Sequence, residues 1–192
     1  MSTRSCIARP TKSGYTGIYV HLDGYPSSRL PLLLAAYQHR FARDVDAMSA
    51  HLIDQVAIAW AELGTDLLDG VPKPLLRKLT GGDVWPSREM DDLENLDGSP
   101  PEREVITEAT ANSGAIEWAY VLHSEGIEVI SLEAADRGPL VAWNTNPHTL
   151  FSNSRHLWLP GHPVPATRLS RSARVPAAAK PASPAAQRAA RR

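Results

Sequence analysis

Two apolar stripes of helical period stand back to back between residues 28 and 63, and they constrain everything around them. Leu30, Leu33, Leu34, Tyr37 and Phe41 fall on one face of a first helix. Val45, Met48, Leu52, Val56, Trp60 and Leu63 fall on one face of a second, which Gly64 is placed to end in a left-handed residue. Ser27 or Ser28 offers a cap for the first helix, whose early turn tolerates Pro31. Helices with one apolar stripe each must bury it against another layer, and the flanking segments read as strands.

Residues 5–9 and 17–22 are short β-prone runs joined by Pro10-Thr11-Lys12-Ser13-Gly14, whose proline and glycine favour a turn and hence a hairpin. A second and clearer hairpin is Ile116 to Leu122, a turn at His123-Ser124-Glu125-Gly126, and Ile127 to Leu132. Pro139 to Trp143 adds an edge strand after the Arg137-Gly138-Pro139 break. The fold class is therefore α+β: an antiparallel sheet of about four to five strands with the helix pair over one face.

Charge divides the chain. The net charge of −1 hides seven basic and no acidic side chains in residues 160–192, which leaves −8 for residues 1–159. That C-terminal stretch is rich in Ala, Pro and Arg with no apolar face, and it reads as a disordered basic tail following a single domain over 1–159. Within the domain, Lys73 to Leu79 reads as a short helix broken at Gly81-Gly82. About 80–113 reads as a poorly structured acidic excursion, since Asp83, Glu89, Asp91, Asp92, Glu94, Asp97, Glu102, Glu104 and Glu108 face only Arg88 and Arg103. The lone Cys6 excludes an intrachain disulfide, no apolar run follows Arg4 and Arg9, and no segment has the length to cross a bilayer, so a cytoplasmic protein without membrane contact is expected.

His21-x-Asp23 stands at the end of a strand, where alternate side chains share a face, so an imidazole and a carboxylate can meet there as a general base or metal ligand pair. The plainer reading is a tight turn, with Asp23 bonding its own backbone, Gly24 supplying positive φ and Tyr25-Pro26 anchoring the turn. Arg4 on the first strand can reach Asp23, or a ligand's anionic group. Its plainer role is an ion pair that holds the hairpin to the turn. His21, Asp23, His123, His148 and His156 carry metal-ligand chemistry but none of the spacings of a zinc site, and no cofactor is expected. Cys6, inside a strand, reads as a small buried side chain. There is no phosphate-binding glycine loop and no Gly-x-Ser-x-Gly elbow. In the tail, Arg168, Arg171, Arg174, Arg188, Arg191 and Arg192 carry a charge that could hold nucleic acid without sequence preference, though no aromatic side chains are interleaved for stacking.

Ser2-Thr3-Arg4-Ser5, together with Tyr19, His21 and Asp23-Gly24-Tyr25-Pro26, resembles the opening of a family of small, functionally uncharacterised proteins from phages and bacteria. The likeness covers roughly residues 2–37 and, more loosely, the 116–132 hairpin. Relatives tend to place a glycine near the start of the helix, where this chain has Arg29-Leu30-Pro31. The resemblance implies a hairpin, turn and helix unit in a phage or mobile-element setting, and no reaction. The sequence thus points to a non-enzymatic accessory or interaction protein, with Arg4, Ser5, Tyr19, His21, Asp23 and Tyr25 forming a polar patch for a protein or small ligand. The alternatives are a small hydrolase using His21 and Asp23, with or without a metal, and a nucleic-acid-associated protein acting through the tail.

Overall fold

The computed structural model describes residues 3–90, 102–111 and 116–167. The first alternating run forms β1 (Ser5–Thr11) and β2 (Gly14–Val20), the expected hairpin, closing over Lys12 and Ser13 with Thr11 opposite Gly14. Beyond a turn at Asp23-Gly24 lies α1 (Pro26–Ala35), extended by a wider turn over Ala36–Arg40. Then comes α2 (Val45–Ser49), extended in the same way over Ala50–Asp54. Bonds from Phe41 N–H to the Ala36 carbonyl and from Gln55 N–H to the Ala50 carbonyl, each 3.0 Å, reach back five residues and make both extensions π-helical. Pro26, with fixed φ and no N–H to satisfy, starts α1 earlier than a cap at Ser27 or Ser28 implies. Asp44 caps α2, its Oδ1 accepting from the amides of Asp46 and Ala47 at 2.9 Å.

The second helix stops well short of Gly64. Trp60 instead opens β3 (Trp60–Glu62), which pairs parallel with β2 at Val20, and the Trp60 indole N–H returns to the Leu52 carbonyl at 2.9 Å. Gly64 has an ordinary φ of −107°. Its missing side chain makes room for the backbone of residues 85–87, since an added Cβ would sit 2.3 Å from Ser87 N. A 3-10 turn at Thr65–Leu68 precedes α3 (Lys73–Thr80), the short helix that the sequence predicts, closed by Gly81 in the left-handed region. Next come β4 (Arg88–Glu89), antiparallel to β3, and β5 (Val105–Thr107), antiparallel to β2, followed by α4 (Glu108–Ala111). In its described parts the acidic excursion is therefore structured. Backbone bonds from Met90 N–H to the Ala59 carbonyl and from Glu104 N–H to the Ile58 carbonyl, both 2.9 Å, satisfy polar groups that apolar periodicity does not report. Residues 91–101 and 112–113 of the excursion lie outside the described residues.

The second hairpin, β6 (Trp118–Leu122) and β7 (Gly126–Ser131), and the edge strand β8 (Leu140–Ala142) form as expected. What the local pattern does not contain is the parallel pairing of β6 with β1, from Ser5 opposite Trp118 to Ala8 opposite Val121. The fold is α+β, but the sheet is mixed rather than antiparallel and has eight strands among the described residues rather than four or five, in the order β4-β3-β2-β1-β6-β7-β8 with β5 beside β2. A separate pair, β9 (Leu150–Phe151) and β10 (Ala166–Thr167), recruits the segment beyond Pro160 that the sequence assigns to the tail. The remainder of the expected disordered tail, 168–192, lies outside the described residues.

Strand alternation sorts the core into two layers. On one face Ile7, Ile18, Val20, Trp118, Tyr120 and Val129 meet Leu30, Leu33, Leu34, Met48, Leu52 and Val56 of the helix pair. On the other, Cys6, Ala8, Tyr19, Ala119, Val121 and Ile130 meet Ile106, Ala111 and Ile116. Among the described residues no helix is long and apolar enough to cross a membrane.

Candidate functional site

The turn between β2 and α1 is held from three sides. Arg29 is 2% exposed, and its Nη2 donates to the carbonyls of Leu22, at 2.7 Å, and Asp23, at 3.0 Å. The fully buried Tyr120 hydroxyl donates to the Gly24 carbonyl at 2.6 Å, and Gly24 N–H donates to the Thr3 carbonyl at 2.9 Å. Burial pushes the Tyr120 phenol well above its ordinary range, against the pull of the Arg29 charge, so it stays a donor. The same burial lowers the Arg29 pKa, opposed by the electrostatic pull of Tyr120, Asp23 and Glu62.

These contacts fix an unusual backbone. Asp23, not Gly24, takes the positive φ, at 57°, a conformation that Asp tolerates better than most side chains. Gly24 serves close approach instead, because an added Cβ would lie 2.8 Å from the Thr3 carbonyl oxygen and 2.9 Å from Ser5 Cβ. Ser28 Oγ, in the first turn of α1, donates to Asp23 Oδ1 at 2.9 Å.

The candidate residues His21 and Asp23 have different hydrogen-bond partners. His21 continues the alternation of β2, with its Nδ1 2.9 Å from the Tyr19 hydroxyl, and burial raises the Glu104 pKa against the opposing influence of nearby His21. Tyr19 is buried in the second layer. Its phenol is pushed up by burial and by Glu104, while Arg4 works the other way by charge and hydrogen bond, so Arg4 belongs beside Tyr19. The guanidinium bonded to the Asp23 turn is that of Arg29. Ser5 is fully buried beneath Gly24, and the Tyr25 side chain is 37% exposed at the surface. Cys6 is fully buried, and desolvation raises its thiol to about 12, which removes its nucleophilicity at neutral pH. Among the described residues no three His, Cys, Asp or Glu side chains are grouped to hold a metal ion. His123 is occupied at the far hairpin by Glu128, at 3.1 Å.

Asp23 opens onto a cleft of about 230 Å³ that the sequence does not disclose. One wall is the start of α1, with Ser27, Ser28, Pro31 and Leu32. The opposite wall is the end of α3 and the loop beyond it, with Lys78, Leu79, Thr80 and Trp85, and the floor and rim come from Leu63, Thr65, Leu68 and Pro147 to Leu150. Thr65 ties the far side in place, its N–H and Oγ1 donating to the Trp85 carbonyl at 2.7 and 2.9 Å and its Oγ1 accepting from Trp85 N–H at 3.1 Å. Two polar atoms of lining residues, Trp85 Nε1 and His148 Nδ1, are withdrawn from solvent without a hydrogen-bond partner. Burial lowers the His148 pKa and the Lys78 charge lowers it further, which favours the neutral ring. His21 is not among the lining residues.

Arg29 has a visible signal in the sequence, a lone cation between Pro26, Leu30 and Leu33 with no acidic residue three or four positions away. Lys78, Trp85 and Thr65 have none, because tertiary packing alone brings α3 to α1. No protein-family model, curated protein or solved structure matches this chain.

Proposed function

We propose that this chain is a non-enzymatic accessory protein that holds a small ligand in the cleft between α1 and α3, with Asp23 as its principal polar contact. The observation that carries the reading is the direction of Asp23: the turn contacts spend Arg29, Tyr120 and Ser28 on presenting this carboxylate to the cleft, while His21 stays with Tyr19 outside it. Residues held in such conformations cluster at ligand sites, and a mostly apolar cleft with a few placed polar groups suits a small ligand. A hydrolytic dyad of His21 and Asp23 would need the two side chains on one reacting group, and the left-handed residue at 23 works against that.

The test is a thermal-shift screen of the full chain against small polar metabolites, with Asp23→Asn and His21→Asn in parallel. Asn keeps the tolerance for positive φ and removes only the charge. A ligand at a hundred times its Kd stabilises by about 2.7 kcal/mol, a rise of about 5–10 °C for a chain of this size. The shift should survive His21→Asn and collapse in Asp23→Asn. A shift that needs His21, or none across the screen, refutes the reading.

A further inference from the structure

We infer that the cleft takes an amino acid with an apolar side chain in its zwitterionic form, the ammonium resting on Asp23 and the carboxylate on Lys78. This rests on the cleft being the binding site and adds the class of ligand. The cleft carries one side chain of each sign, Asp23 on the α1 side and Lys78 on the α3 side, and among the described residues no ion pair joins them. Each charge sits where a helix end favours it, Asp23 ahead of the first turn of α1 and Lys78 in the last turn of α3. A simple anion would gain Lys78 and be repelled by Asp23, and a simple cation the reverse. Only a ligand bearing both charges gains from both.

The uncharged parts agree. Leu32, Leu63, Leu68, Leu79 and Pro31 give the cleft an apolar interior that suits an aliphatic or aromatic side chain. On the α3 side the Lys78 ammonium can donate to a carboxylate, which has about four acceptor positions. Asp23 and the Ser28 hydroxyl supply acceptors for an ammonium on the other side. At about 230 Å³ the space falls below the 300–1,000 Å³ of sites for drug-sized ligands, in keeping with a ligand the size of an amino acid.

Titration calorimetry of the full chain with leucine, N-acetylleucine, leucinamide and N-acetylleucinamide separates the terms. Leucine should bind at least about tenfold more tightly than either singly capped compound, the factor that 1.4 kcal/mol of lost charge pairing produces. Asp23→Asn should erase the preference for leucine over N-acetylleucine, and Lys78→Met its preference over leucinamide. If N-acetylleucinamide binds as well as leucine, the zwitterion is wrong and the cleft stands. If none of the four binds while another compound from the wider screen does so through Asp23, the ligand class is again wrong and the site correct. Silence in both experiments overturns site and ligand together.

Discussion

Replacing Arg29 with methionine tests the claim that a buried cation organises the turn. The guanidinium lies 2% exposed, makes two bonds to main-chain carbonyls at 2.7 and 3.0 Å, and leaves Nε without a partner. Hydrogen bonds from a charged donor contribute about 1.5–3 kcal/mol each, so the two together amount to about 3–6 kcal/mol. Against that stands the cost of keeping the charge out of water, visible in its lowered pKa, which methionine of similar length would relieve by about 1–3 kcal/mol. Leu22 is only half-buried and Asp23 exposed, so water can reach part of what the arginine abandons. The net expectation is a loss of about 2–3 kcal/mol, or about 5–10 °C in Tm at this chain length. Urea unfolding followed by tryptophan fluorescence measures it, with Arg29→Lys as a control that keeps the charge but loses the planar fork. A methionine variant as stable as the parent would show that desolvation cancels the two bonds and that Tyr120 and Ser28 hold the turn alone.

Gly24→Ala drives a Cβ to 2.8 Å from the Thr3 carbonyl oxygen, and since Thr3 is itself buried the strain should cost about 1–3 kcal/mol in denaturant midpoint. Cys6 should resist iodoacetamide at about pH 8.5 in the native protein and react once unfolded, because its thiol is held at about 12 against about 8.5 in an open chain. The folded thiol keeps a proton that the unfolded one releases, so this contribution is complete below about pH 8.5 and is lost as pH rises towards 12, and Cys6→Ala should flatten the alkaline fall in stability. His148 has the opposite sign: its lowered pKa means that the unfolded state protonates first, so stability falls as pH drops through about 6.5, and His148→Gln should flatten that acid limb in urea midpoints measured across it.

The elements legible in the sequence are those whose signal is local. β1 with β2, β6 with β7, and the face of α1 all arise from period and punctuation, and each lies close to its expected place. Periodicity overextends the second helix because Val56, Trp60 and Leu63 happen to keep helical spacing after the helix has ended. Their burial is real, but only Trp60 belongs to β3, which pairs parallel with β2 at Val20. Strands of two or three residues such as β4 and β5 have no periodicity to detect, and the long-range β1 and β6 pairing has no local trace at all. Of the candidate site, Asp23 and the turn are visible in the sequence, whereas the second wall of the cleft depends on α3 docking beside α1.

The different partners of His21 and Asp23 show how far strand alternation can be trusted. Side chains two apart share a face only while the backbone stays extended, and β2 ends at Val20. His21 still obeys the rule, since its N–H bonds the Trp60 carbonyl at 2.9 Å and its ring lies with Tyr19. At Asp23 the positive φ reverses the chain, and the carboxylate that alternation would have sent towards the imidazole goes to Ser28 and the cleft. Bringing it back would require Asp23 to leave the left-handed region, breaking the Arg29 and Ser28 contacts and disturbing the Tyr120 bond at Gly24. Several bonded groups oppose that movement and only the modest strain of one residue, about 1–3 kcal/mol, favours it. The bonds that make the turn rigid thus also hold the Asp23 carboxylate in a fixed place.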